Sequence, residues 1–252
     1  MQLVFISLFF YITAFLLSFL SHTFDRLRLF VPIPLFLALL FYTLHTSLLA
    51  IKVGSFPFAD PYGFYSLLGN VLVGFLSLMS FKYTYAKRFY ALFSVLGMLS
   101  TLLLIPAEPS PYRSPLYSLH ISVALLSYVS SILGGLSALF RLLAEAKLKK
   151  KSFSEYYMPI NVLRRAERLF MNLCFLFLSL TLLFGSLWSR SYFGRHWVDD
   201  PKLLFVLFLW LYYAVVVHLN LTRRIKPKNL SYAVLAGMLL SLLSLFLVKH
   251  EV

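Results

Sequence analysis

The sequence predicts an all-α, polytopic transmembrane helical bundle of about eight spans, and three observations predict it. Hydrophobic residues make up 60% of the 252-residue chain and charged residues only 13%, whereas roughly a quarter of the residues of a soluble domain are charged. The mean hydropathy is +0.83, so a water-soluble fold would have nowhere to bury this much apolar surface. The apolar residues also gather into stretches near the roughly 20 residues that a helix needs to cross a hydrocarbon core of about 30 Å. Helix is required there because lipid offers no partner to open backbone groups.

In chain order the stretches cover residues 3–21, 29–53, 62–81, 89–105, 116–143, 169–188, 203–222 and 230–248. The first is apolar from its third residue, with no basic segment before it and no small-residue cleavage site, and reads as a retained span rather than a signal peptide. Residues 54–61, the proline-rich 106–115 and the aromatic 188–202 join spans as ordered turns or short interfacial pieces, because their prolines and turn residues oppose helix. The basic segment 147–168 reads as a solvated loop, with a surface-lying amphipathic stretch as the alternative. No soluble domain, long linker or low-complexity tract interrupts the pattern, so a single membrane domain is expected over residues 1–252.

The formal net charge is +14, which in a soluble chain would suggest nucleic acid. Here the basic residues sit between apolar runs, so topology explains them and no nucleic-acid partner is expected. Of the 23 Lys and Arg, all but Lys52, Arg113, Arg190, Arg195, Lys202 and Lys249 fall in the first, third, fifth and seventh connections. Those connections are expected on the cytoplasmic side of a cell (cytoplasmic or inner) membrane, with both termini on the other side and lipid all around.

The single cysteine, Cys174, lies inside an apolar run. That excludes a disulfide framework or a cysteine-based metal cluster and predicts a small buried hydrophobe. Six histidines remain: His22, His45, His120, His196, His218 and His250. His45 and His218 lie at membrane depth, where an ionisable side chain is costly; each is either a neutral imidazole bonded between helices or a functional group. His120 opens the fifth span from outside and His250 follows the eighth as it emerges on the same side. They are either solvated interfacial residues or a pair able to hold haem iron from both sides. Trp188, Tyr192, Phe193, His196 and Trp197 crowd the connection between spans six and seven. They read as an interfacial belt or, with Arg190 and Arg195, as a cradle for a flat ring with anionic propionates.

Residues 185–218 read G-S-L-W-S-R-S-Y-F-G-R-H-W-V-D-D-P-K-L-L-F-V-L-F-L-W-L-Y-Y-A-V-V-V-H. Without a gap, this resembles the tryptophan-rich region of the cytochrome c assembly proteins of the CcsA/ResC type and the related HemX-like proteins. The family pattern G-x-x-W-x-x-x-x-W-G-x-x-W-x-W-D-P-K-E leads there into a helix that ends in Tyr-Ala and His. Gly185, Trp188, Gly194, Trp197, Asp200, Pro201, Lys202, Trp210, Tyr213, Ala214 and His218 match it, while Phe193 and Asp199 stand where the family carries Trp and Leu203 replaces its Glu. His45 with Gly54, Phe56, Pro57 and Tyr62 resembles the family's second span and loop, and His120 and His250 fall at its external histidines.

The resemblance implies handling of haem b, bound or transported, with presentation at the outer face. There haem would be joined to the cysteines of an apocytochrome c with a CcsB/ResB-like membrane partner. It makes His120 and His250 the outer axial pair and His45 and His218 an inner pair, with Trp188, Trp197 and Asp200 shaping the outer pocket. No residue is expected to act as a catalytic nucleophile or base, so the chain is at most part of a haem-attachment complex. The alternative is a HemX-like regulator of haem synthesis that controls glutamyl-tRNA reductase level. By helical rise His45 lies about 10 Å from the outer end of its span and His218 about 6 Å from the inner end of its own, so a shared inner haem requires shifted ends, tilt or a break.

Overall fold

The computed structural model describes residues 1–21, 23–150 and 159–247. These form eight α-helices: α1 (Gln2–Leu20), α2 (Pro32–Val53), α3 (Pro61–Lys82), α4 (Tyr90–Leu102), α5 (Pro115–Lys149), α6 (Ile160–Phe193), α7 (Pro201–Leu221) and α8 (Pro227–Leu247). Five of these begin at a proline, which suits the first helical position because its fixed φ is pre-set and its missing N–H would have had no partner there. The chain is thus an all-α polytopic helical bundle. Seven of the helices are long and apolar enough to cross a membrane.

Two sequence expectations are corrected. The apolar run 89–105 is not a full span, because its first residue ends a 3₁₀ turn (Thr84–Phe89) and α4 stops at Leu102. At 13 residues, α4 is about 20 Å long, short of a hydrocarbon core of about 30 Å. The basic segment 147–168 is, where described, largely helix rather than loop, since α5 continues to Lys149 and α6 begins at Ile160. Ala, Leu, Lys, Arg and Glu dominate both helix ends, and these are strong helix formers that carry the helices past the apolar run.

The fold divides into two compact units, Met1–Pro115 and Leu116–Val252. In the first, α1 packs between α2 and α4, and α4 packs against α3. Tyr11, Leu35, Val73 and Phe93 are among its buried apolar residues, and a polar node sits inside this shell. The Tyr11 hydroxyl donates to Asn70 Oδ1 at 2.8 Å. Asn70 Nδ2 donates to the Ser66 carbonyl at 3.0 Å and has the hydroxyls of Thr101 at 3.2 Å and Ser100 at 3.3 Å within reach of its second proton, while the hydroxyls of Tyr42 and Ser66 pair at 2.9 Å. Every polar atom so placed needs a partner, because a buried amide left unbonded costs about 1–3 kcal/mol, more than a made hydrogen bond returns. Elsewhere hydroxyls turn back onto their own helix, as Ser94 does to the Tyr90 carbonyl and Ser130 to that of Leu126. On the same unit's loops, residues 54–60 and 103–114 meet through a bridge between Phe58 and Pro109 and the Ser110 N–H bond to the Pro57 carbonyl. These connections are ordered, as their turn residues predict.

In the second unit Met171, Leu178, Leu209, Tyr213 and Val234 pack around Cys174, which is 1% exposed and behaves as the expected small hydrophobe. Ser131 on α5 links the Tyr213 hydroxyl of α7 at 2.8 Å to Ser241 of α8 at 2.7 Å. Among the described residues the largest fully buried side chain is Arg141, although its charge counts it among the basic residues of the fifth connection. Its Nη1 donates to Glu167 Oε2 at 2.9 Å and its Nε to Glu145 Oε1 at 3.0 Å. Ser231 on α8 donates to both Glu167 oxygens at 3.1 Å. Three helices therefore share one hydrogen-bonded charge pair.

Truncation of one partner should be severe. Glu167→Ala should destabilise the protein by about 3–5 kcal/mol, toward the lower figure because Glu145 still faces Arg141, whereas the joint change Arg141→Met with Glu167→Leu should cost much less. Thermal unfolding in detergent checks this, and equal melting losses in the two variants would mean that the charge is not isolated by burial.

Candidate functional site

At one end of the second unit the start of α5 lies against the last turns of α6. His120 is the sixth residue of α5, and its Nδ1 is 3.0 Å from the Thr181 carbonyl. A carbonyl only accepts, so Nδ1 carries a proton; in the neutral ring Nε2 then carries the lone pair. This is the arrangement by which a second contact orients an imidazole for a metal. The approach depends on Gly185, one helical turn beyond Thr181. A Cβ there would come within 2.8 Å of His120 Cε1 and 2.9 Å of Nδ1, so any larger residue would displace the ring.

An aromatic cluster surrounds this histidine. The Trp188 indole lies parallel to the imidazole, at 6.4 Å between centroids and 6° between planes. Tyr192 stacks on Trp188 at 5.5 Å and 17°, and Tyr117 leans on it at 5.4 Å. Phe193 stands across both, at 81° to Trp188 and 83° to Tyr192. A metal bound at Nε2 would lie in the imidazole plane. Trp188 and Tyr192 would then present edges to a flat ligand centred on that metal, and the ring set near perpendicular to the imidazole is Phe193.

Trp188, Tyr192 and Phe193 were expected in an external loop, but they occupy the final turns of α6, which runs to Phe193. The helix ends at Gly194 with φ 76°, a left-handed conformation that a residue without Cβ adopts at no steric cost. The chain then folds back over α6. Ser189 donates to the Arg195 carbonyl at 2.8 Å, and His196 is gripped by Ser186 at 3.1 Å and Arg190 at 2.8 Å. Ser186, Ser189 and Arg190 share a helical face through their spacing, a signal that is visible only once α6 is known to extend this far. Trp197 is 41% exposed on this loop. Asp200 is 3% exposed and caps α7, accepting from the N–H groups of Lys202 at 2.7 Å and Leu203 at 3.3 Å.

The remaining expected ligands are distributed differently. His45 is half-buried on α2 in the first unit, eight residues before the end of its helix. His218 is exposed in the last turn of α7 in the second unit. His250 and His22 lie outside the described residues. Among the described residues no three His, Cys, Asp or Glu side chains converge on a common point. A metal at this end would therefore rely on His120 and on donors that its own ligand brings, as a porphyrin does.

The model of one protein family, described as cytochrome c assembly protein, matches residues 1–251. The chain is similar to the cytochrome c biogenesis protein CcsA of Chlamydomonas reinhardtii, with 34% identity over 48% of this chain and 33% of the relative. It is also similar to the CcsA of Guillardia theta, with 28% identity over 53% of this chain and 49% of the relative. It thus spans half or less of the length of these curated relatives. Among solved structures, the cytochrome c haem lyase CcmF superposes with a TM-score of 0.63 at 16% identity, over 99% of this chain and 46% of that one; this likeness concerns the fold.

The capping role of Asp200 gives a simple expectation. Asp200→Ala should cost about 1 kcal/mol in thermal unfolding, and Asp200→Asn, which can still accept from both N–H groups, only a few tenths. Equal losses would show that the charge, not the cap, holds the loop.

Proposed function

The chain belongs to the cytochrome c assembly protein family, a family of multi-pass membrane proteins, and from that premise we propose that it handles haem in cytochrome c biogenesis. In this reading it holds haem b at the end of the second unit where His120 lies, on the non-cytoplasmic side of the cell membrane. Haem is there offered to an apocytochrome c together with a CcsB/ResB-type membrane partner. The observation that carries the reading is the seating of His120, with its proton committed to the Thr181 carbonyl and its ring fixed between Gly185 and Trp188.

The donor set suits an iron porphyrin. His120 supplies an axial nitrogen, with His250 as the proposed ligand from the opposite face. Phe193 offers an aromatic face, and Trp188, Tyr192 and exposed Trp197 form apolar walls. Arg195, with Arg190 where it is not engaged by His196, can meet anionic propionates, since guanidinium matches carboxylate. His45 and His218 are each proposed, separately, as a histidine that haem meets at an earlier stage.

When bound, haem supplies the vinyl groups that become thioethers. Each cysteine S–H of the apocytochrome adds across one C=C, sulfur to one carbon and hydrogen to the other, with no oxidant consumed. This chain's share is positional: it fixes the iron by imidazole, buries one edge of the ring among aromatics and leaves the loop side open to the substrate peptide.

Two experiments test this. Protein purified in detergent should show a bis-histidine haem spectrum that His120→Ala abolishes and added imidazole restores. Gly185→Val should weaken the same spectrum several-fold, while a haem content unaffected by either change would remove His120 from the site. Deletion of the gene should reduce covalent c-type haem while leaving glutamyl-tRNA reductase abundance unchanged. The reverse pattern would replace assembly by regulation of haem synthesis.

A further inference from the structure

The end of the second unit remote from His120 is built for anions. Along α5, His120 and Arg141 are 21 residues apart, about 31 Å at the helical rise and close to the thickness of a hydrocarbon core. The buried Arg141–Glu167 pair thus lies where the apolar layer ends. Beyond it α5 continues to Lys149, and α6 begins seven residues before Glu167. Both helices therefore project about 10 Å into the depth occupied by lipid headgroups.

That projecting rim is cationic. Lys147, Lys149 and Lys150 on the α5 side, and Arg165 and Arg168 on α6, are exposed, and the basic turn between α7 and α8 lies at the same end. Both acidic residues described there, Glu145 and Glu167, are committed to Arg141. Arg164 stands apart from its neighbours: its Nε is buried and makes no hydrogen bond among the described residues. A guanidinium N–H out of water is costly without an acceptor, and the oxygens of a bound anion would supply one.

We propose that this rim binds an anionic phospholipid headgroup, with the phosphodiester accepting from Arg164 and the surrounding Lys and Arg providing the field. A guanidinium fork matches two phosphate oxygens at once, whereas the ammonium groups add attraction without fixed geometry. The lipid source follows from depth, since Arg164 is three residues beyond Glu167, about 4.5 Å further from the hydrocarbon.

The test is native mass spectrometry of the full chain in detergent, offered phosphatidylglycerol and phosphatidylcholine in equal amounts. Phosphatidylglycerol should be retained preferentially. Arg164→Gln should reduce that retention at least about five-fold, the size of one charge-assisted hydrogen bond. The exposed double change Arg165→Gln with Arg168→Gln should reduce it less, and Arg28→Gln in the first unit should leave it unchanged. Equal retention of the two lipids by the unaltered protein would overturn the proposal whether or not the variants fold. So would displacement of phosphatidylglycerol by millimolar inorganic phosphate, which would assign the rim to a soluble anion.

Discussion

The register between α5 and α6 is the constraint on which the second unit depends, and a buried ion pair fixes it. Arg141 and Glu167 are 1% and 0% exposed and meet at 2.9 Å. In a medium without water neither charge has an alternative partner of equal quality, so the two helices cannot slide past one another. The same antiparallel register carries His120 to the Thr181 carbonyl at the far end of the pair. A slip of one turn would move the contact by about 5.4 Å and leave the imidazole facing a side chain instead of the space above Gly185. A structural pair at one membrane boundary thereby positions the candidate ligand His120 at the other.

The architecture was largely legible in the sequence because it follows from composition and length. Apolar runs near 20 residues bounded by prolines leave a chain few options, and six of the eight helices lie close to their expected ranges. Besides the short α4, the differences lie where charge and helix coexist. Arg141 and Glu167 looked like surface residues because charge normally marks the end of a span, and nothing local reveals that they pair across 26 positions in the chain. Likewise, α6 was ended at Trp188, although the Ser186, Ser189 and Arg190 face continues the helix for another turn.

The candidate site was legible in its residue types and less so in its geometry. The tryptophan-rich stretch and His120 pointed to one region, and the structure places Trp188 and His120 together. What the spacing did not disclose is that the indole lies parallel to the imidazole, or that Asp200, within the same stretch, serves as a helix cap. Those features depend on χ angles and on where a helix stops, which sequence pattern records only weakly.

The hydroxyl groups that bond back to their own helices bear on how such a chain enters a bilayer. Ser94 and Ser130 arrive with their hydrogen bonds already made, so the helices that carry them can sit among acyl chains before any neighbour is present. Arg141 has no such self-sufficiency. Glu145 on its own helix meets one face of the guanidinium, but the remainder stays unneutralised until α6 is alongside. The cost of solitude falls on α5 through Arg141 and on α6 through Glu167, and it favours delivery of the two helices to the membrane as one hairpin rather than as successive single strokes.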